Sequence, residues 1–263
     1  MDSEILGQYM MHYWIIFSRY IITATIFFLL YYVIFKNKWA YKKIQRKLPN
    51  NKDYIREVSY SLMTIFIFAG MGMLIFNSPI TEYSKIYWDI GEYPIWYYVL
   101  SFPLMFFIHD TYFYWMHRTM HHPAIFKTAH LVHHKSTNPS PWAAYSFHPI
   151  EGFFEGAILP ILAFALPLHF STFGFFFLFQ IVYNVYGHSG YEWYPKGFNN
   201  HWLGKWINTS IHHNLHHKHF DNSYGLYFTF WDRVMGTLHP LYNETFDEVK
   251  TRTKPQHPEQ VIA

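Results

Sequence analysis

Residues 94–121 read PIWYYVLSFPLMFFIHDTYFYWMHRTMH. Pro94 opens an apolar run that reaches Ile108, and no helix breaker follows until Pro123. One helix is therefore expected to leave an apolar medium and continue into a polar block, His117-Arg118-Thr119-Met120-His121. Helical residues three or four apart share a face, so this H-x-x-x-H spacing aims two imidazoles at one point. Two more blocks repeat the device with H-x-x-H-H spacing: His130-Leu131-Val132-His133-His134 and His213-Asn214-Leu215-His216-His217. The second reads as a short helix ended by Asn138-Pro139, and the third as part of one helix before Asp221. Neutral imidazole is a common ligand for iron, zinc, copper and nickel. His188, at the end of a further apolar run and with Asn184 one turn before it, is a ninth candidate.

Working outward, residues 13–35 form an apolar run broken only by Arg19 and a few hydroxyls, and residues 58–77 form another that contains Ala69, Gly70 and Gly72. A bilayer core needs about 20 helical residues, and small residues permit close helix approach. Arg19 reads as lying near the outer end of its span, where it can snorkel. Residues 152–187 are apolar but punctuated by Pro160, Pro167 and Gly174, which predicts a hairpin of helices over 152–166 and 171–187. The expected fold is thus all-α: about four to five membrane segments, with a helical cap holding a histidine-rich di-metal site. Three regions are expected: N-terminal membrane helices and a basic loop over 1–93, a catalytic region over 94–240, and a tail over 241–263, loose from Thr251 onward.

Composition agrees. The chain has 263 residues, is 51% hydrophobic and 23% aromatic, and is only 14% charged, against about 25% in soluble domains. The absence of cysteine excludes disulfides, thiolate zinc sites and iron–sulfur clusters. A net charge of +3 gives no case for nucleic acid. Met1–His12 carries Asp2 and Glu4 and lacks the pattern of a cleaved signal. Eight Lys/Arg fall in the loop 36–56, which the positive-inside rule assigns to the cytoplasm. Counting spans from there brings all three histidine blocks to the cytoplasmic face of a multi-pass protein, whether in a bacterial inner membrane or the endoplasmic reticulum.

Nine imidazoles are too many for one ion. Two six-coordinate ions offer about twelve positions, leaving about three open, as a catalytic site requires and a closed structural zinc does not. Asp110, Glu151, Glu155 and Glu192 are candidate acceptors for the ligands' second N–H groups.

The series His109-Asp110-x-x-x-Tyr114-x-x-His117-Arg118-x-x-His121, His130-x-x-His133-His134, His148-Pro149-x-Glu151, His188-Ser189-Gly190-Tyr191, His213-x-x-His216-His217 and Trp231-Asp232-Arg233-x-x-Gly236-Thr237 resembles the fatty acid hydroxylase/sterol desaturase superfamily over about residues 95–240. The resemblance implies a di-iron oxygenase that uses O2 to hydroxylate or desaturate an unactivated C–H bond of a lipid. The lipid classes it admits are a sterol, a fatty acyl or sphingoid chain, and an alkyl glycerol. It implies two iron ions held by His117, His121, His130, His133, His134, His188, His213, His216 and His217. Asp110, His109, His148, Glu151 and Asn184 would stand behind them. Electrons would come from a separate cytochrome b5- or ferredoxin-like protein. The stretch Asn222-Ser223-Tyr224-Gly225 departs from the family's Asn-Tyr-Gly by one residue.

Other residues read more plainly. His12, His169, His239 and His257 are expected at the surface or membrane interface, and Trp231-Asp232-Arg233 as packing with a local ion pair. Asp110 needs a partner such as Arg118 or a histidine. Phe102, Phe106, Phe107, Phe175, Phe176, Phe177 and Phe179 supply material for an apolar channel, or else face lipid. A metal transporter would need polar ligands near mid-bilayer, where the spans carry almost none, and a zinc protease would need the absent H-E-x-x-H motif.

Overall fold

Long helices form on the apolar runs in the computed structural model, which describes residues 3–254. Helix α1 (Ser3–Phe28) passes into a π-helical stretch, Leu29–Ile34. Helix α2 (Asn51–Phe76) starts on a capping box: Asn50 Oδ1 accepts from the Lys52 and Asp53 N–H groups, and Asp53 returns a carboxylate to the Asn50 N–H. Strand β1 (Ile86–Tyr87) precedes α3 (Ile95–Met120), which carries the first histidine block as expected. Short helices α4 (Pro123–Ala129) and α5 (Leu131–His134) carry the second. Then come α6 (Pro149–Gly156), α7 (Ile158–Ala165), β2 (Leu168–His169), which pairs parallel with β1, and α8 (Phe170–His188). The cap is completed by α9 (Ser210–His219), α10 (Phe230–Val234) and α11 (Tyr242–Thr251).

Among the described residues, three stretches are long and apolar enough to cross a membrane: Ser3–Ile34, Asn51–Phe76 and Phe170–His188. Helix α3 has the length, but its second half carries His109, Asp110, His117 and Arg118. The first arm of the expected hairpin is two helices. Pro160 has no N–H to return to the Gly156 carbonyl, so the helix cannot run through. At eight residues each, α6 and α7 reach about 12 Å apiece. Because α1 begins at Ser3, Arg19 stands at the middle of the 32-residue Ser3–Ile34 segment and not near its outer end.

The small residues of α2 serve close packing. A Cβ on Gly72 would meet His12 Nδ1 at 2.9 Å. The core between spans is built by Tyr20 and Ala24 on α1, Ile65 and Ala69 on α2, and Ile181 and Val185 on α8. A second core holds the cap: Ile211 and Leu215 on α9 pack on Ile44 and on Tyr242, Phe246 and Val249 of α11. Residues 242–251 are therefore a docked helix, where a tail was expected; residues 255–263 lie outside those described. The basic loop lies against the cap, with Ile44 N–H on the Gly190 carbonyl and Gln45 Nε2 donating to Asn214 Oδ1 and the Thr137 carbonyl.

Candidate metal centre

Helix α9 shows how sequence spacing becomes a site. Thr209 caps its start by accepting the His212 N–H. Ile211 and Leu215 turn toward α11, which leaves His213, His216 and His217 on the face toward α5 and α8. The nine expected histidines converge there in two groups, each with its ring nitrogens within 4.8 Å of one another. His117, His121, His130, His134 and His216 form one; His133, His188, His213 and His217 form the other.

Each group is anchored from behind. In the group of five, His117 Nδ1–H donates to the Tyr224 carbonyl at 3.0 Å, His216 Nδ1–H to the Asn222 carbonyl at 2.6 Å, and His130 Nδ1 meets Glu151 Oε1 at 2.7 Å. In the group of four, Nδ1–H donates from His133 to Ser146, from His188 to Asn184 and from His217 to Ser136, all backbone carbonyls. A neutral imidazole has one N–H, so these anchors leave Nε2 as a bare lone pair.

The bare nitrogens face each other. His117 and His130 Nε2 stand 3.0 Å apart, and His130 and His134 Nε2 also 3.0 Å. In the other group His188 Nε2 lies 2.9 Å from His213 and 3.4 Å from His133, and His213 lies 3.0 Å from His217. His213 can hand its one proton to only one of these neighbours. The remaining lone pairs repel unless a cation lies among them, and the buried Nε2 of His216 has no hydrogen-bond partner among the described residues. Burial and the neighbouring imidazoles push His130, His133, His134, His213, His216 and His217 well below the usual imidazole range, so they stand neutral, the form that can ligate a metal. The donor set fits two imidazole-bound metal ions, one at each group.

Of the residues expected behind the ligands, Glu151 alone touches one through its side chain. Asn184 serves through its backbone carbonyl, while its side chain donates to Ala144. His148 caps α6 by accepting the Ile150 N–H. His109 Nδ1 meets Tyr227 Oη at 3.0 Å. Asp110 finds neither Arg118 nor a histidine: it accepts the N–H groups of Leu226, Tyr227 and Phe228, stitching the cap to α3. Glu192 accepts the Ile211 N–H and the Tyr186 hydroxyl, fixing the start of α9.

Asp232 was undervalued by the sequence reading. Its carboxylate accepts from His212 Nε2, the Tyr224 and Gly225 N–H groups and Thr237 Oγ1, and it forms no ion pair with Arg233. It thereby holds Tyr224, whose carbonyl orients His117. The W-D-R motif marked the residue, but its spacing says nothing of these distant partners. His12, His169 and His239 are half-buried or buried and hydrogen-bonded, not surface groups; His257 lies outside the described residues.

A cavity of about 440 Å³ lies among α1, α2, α3, the α6–α7 pair and α8. Phe147 lines it and packs with its ring centroid 5.1 Å from that of His133, so one end reaches the group of four histidines. His12 and Asn77, hydrogen-bonded to each other, line it as well. Of the seven phenylalanines expected to build a channel, Phe177 alone lines it. Phe107, Phe175 and Phe179 are exposed on the outside of the bundle, and Phe106 packs on Phe176.

The fatty acid hydroxylase family model matches residues 102–237, just over half the chain. The chain is 32% identical to lathosterol oxidase of Homo sapiens over 210 residues, covering 79% of this chain and 67% of that protein. It is 30% identical to a Delta(7)-sterol 5(6)-desaturase of Gibberella zeae over 211 residues, 78% of this chain and 64% of the relative. To lathosterol oxidase of Rattus norvegicus it is 34% identical over 188 residues, 70% and 61%. The chain thus spans about two thirds of the length of these relatives. No solved structure matches it.

Proposed function

The chain belongs to the fatty acid hydroxylase family, and from that membership we propose that it is a membrane-embedded di-iron oxidoreductase that desaturates a sterol. One observation carries the reading: an apolar cavity of about 440 Å³, within the size range of small-molecule sites, ends on Phe147 against His133. The relatives' names point to sterols. A transporter would not require an apolar cavity beside its ligands.

His117, His121, His130, His134 and His216 would hold one iron, and His133, His188, His213 and His217 the other. Of about twelve coordination positions the nine imidazoles fill all but about three, concentrated at the group of four. When bound, the iron pair supplies reductive activation of O2. The overall desaturation balances as loss of two hydrogens from the lipid, with O2, two electrons and two protons giving two waters. The chain's own residues orient the ligands and exclude water. Glu151 and the carbonyls of Tyr224, Asn222, Ser146, Asn184 and Ser136 fix the rings. Phe147 walls the centre on the cavity side. Electrons come from a separate cytochrome b5- or ferredoxin-like protein. The active face is cytoplasmic, a reading supported by the basic loop 36–56 lying against the cap. Four to five membrane segments result if α3 spans and α6–α7 enters from the cytoplasmic side.

The test is sterol mass spectrometry under 18O2 in cells making the native chain or His133→Ala, with an electron donor supplied and iron loading verified. A sterol lighter by two hydrogens and without label, formed only by the native chain, supports desaturation. Incorporated label means hydroxylation at the same centre, and identical sterols in both cells overturn the reading.

A further inference from the structure

Two ionisable side chains, Arg19 and Glu155, line the apolar cavity, and neither has a partner among the described residues. Arg19, at the middle of the first span, forms no hydrogen bond or ion pair among the described residues. Glu155 forms none either. Charged groups at membrane depth are costly and mark sites of function when they persist. Gln180 lines the same cavity and is 8% exposed; its Oε1 accepts from the Tyr145 hydroxyl at 3.1 Å, and its amide NH2 has no hydrogen-bond partner among the described residues. A guanidinium, a carboxyl group and an amide donor therefore line one otherwise apolar chamber.

We propose that Arg19, Glu155 and Gln180 form a polar subsite that binds the hydroxyl group of the lipid substrate and so sets which carbon faces the metals. Resting on the sterol reading above, the subsite deepens it. A hydroxyl both donates and accepts: it donates a hydrogen bond to the Glu155 carboxyl oxygen and accepts from the Arg19 guanidinium and the Gln180 amide. Position agrees as well. Glu155 lies one turn, about 6 Å, along α6 from Glu151, which touches the ligand His130. In a sterol the hydroxyl-bearing carbon and carbon 5 belong to one ring, so a hydroxyl held here leaves the neighbouring ring bond near the metal centre. In a fatty acid the carboxylate lies many carbons from a mid-chain target.

The test measures equilibrium binding of lathosterol and its O-methyl ether to the iron-loaded full chain in nanodiscs, with turnover of lathosterol followed in parallel. Native protein is expected to bind lathosterol at least about tenfold more tightly than the ether, a difference of ~1.4 kcal/mol. Arg19→Met and Glu155→Gln, which keep side-chain size, are expected to remove that preference while binding the ether as native does and retaining iron. Gln180→Met is expected to reduce it in part. Equal affinity of native protein for alcohol and ether, unchanged preference in the variants, or tighter binding of palmitate than of lathosterol overturns the subsite. Preference for the alcohol without any turnover keeps the subsite and sinks the desaturase reading; turnover without preference does the reverse.

Discussion

Asp232 shows how a residue outside both histidine groups shapes the site. Burial raises its pKa, but His212 and the Tyr224 and Gly225 N–H groups outweigh burial and hold it below the usual carboxylate range. Its stabilisation is present above that range and is lost as pH falls through the depressed value. Asp232→Ala leaves His212 and two buried N–H groups without partners, and is expected to cost about 3–5 kcal/mol. Thermal unfolding at pH 7 checks this, and a loss below about 1 kcal/mol contradicts it. At the same scale, Glu151→Gln keeps volume but weakens the anchor on His130; iron affinity is expected to fall about 10- to 100-fold with the fold intact. Metal titration followed by circular dichroism reads both quantities. The nine imidazoles were legible because helical spacing announces them. The carbonyls that set their tautomers were not, since a backbone acceptor leaves no trace in residue type.

Helices were legible where one face is apolar for long enough, and least so where a proline interrupts. The break between α6 and α7 follows from Pro160, yet the hydropathy of 152–166 reads as continuous. The helix α11 was missed because its buried set, Tyr242, Phe246 and Val249, is small and set among polar residues. The loop between the first two spans carries a separate test. Lys43 is buried with its Nζ lacking a hydrogen-bond partner, about 5 Å from the Tyr32 and Tyr191 rings. Burial lowers its pKa to about 7. Folding thus favours the neutral amine, and the native state gains stability as pH rises from about 7 toward the unfolded value of 10.5. Lys43→Met is expected to raise the unfolding midpoint at pH 7 and flatten its rise toward pH 10. The gain has an upper limit of ~5 kcal/mol, reduced by cation–π attraction. An unchanged pH profile contradicts this assignment.

At the scale of the whole molecule, a membrane bundle presents one apolar chamber to a two-centre cap. The fold class and convergence of the histidine blocks were readable from hydropathy and spacing, whereas the chamber was not. Its walls come from six helices and the segments between them, and whether a phenylalanine faces lipid or cavity depends on helix rotation, which composition does not encode. Gly174 gives a direct probe: it lines the cavity, and a Cβ there meets nothing nearer than Arg19 Nη2 at 3.8 Å. Gly174→Phe should fill the chamber while leaving helix α8 and both histidine groups in place. Sterol turnover is expected to drop more than about tenfold, with iron content and unfolding midpoint near native; full turnover would place the substrate elsewhere. The two-centre cap itself is tested by counting iron in the purified chain after anaerobic loading, native beside His213→Ala. Two irons per native chain, falling to about one in the variant, is the expected result. A single iron in the native chain, or two retained in the variant, would contradict the division of nine histidines into groups of five and four.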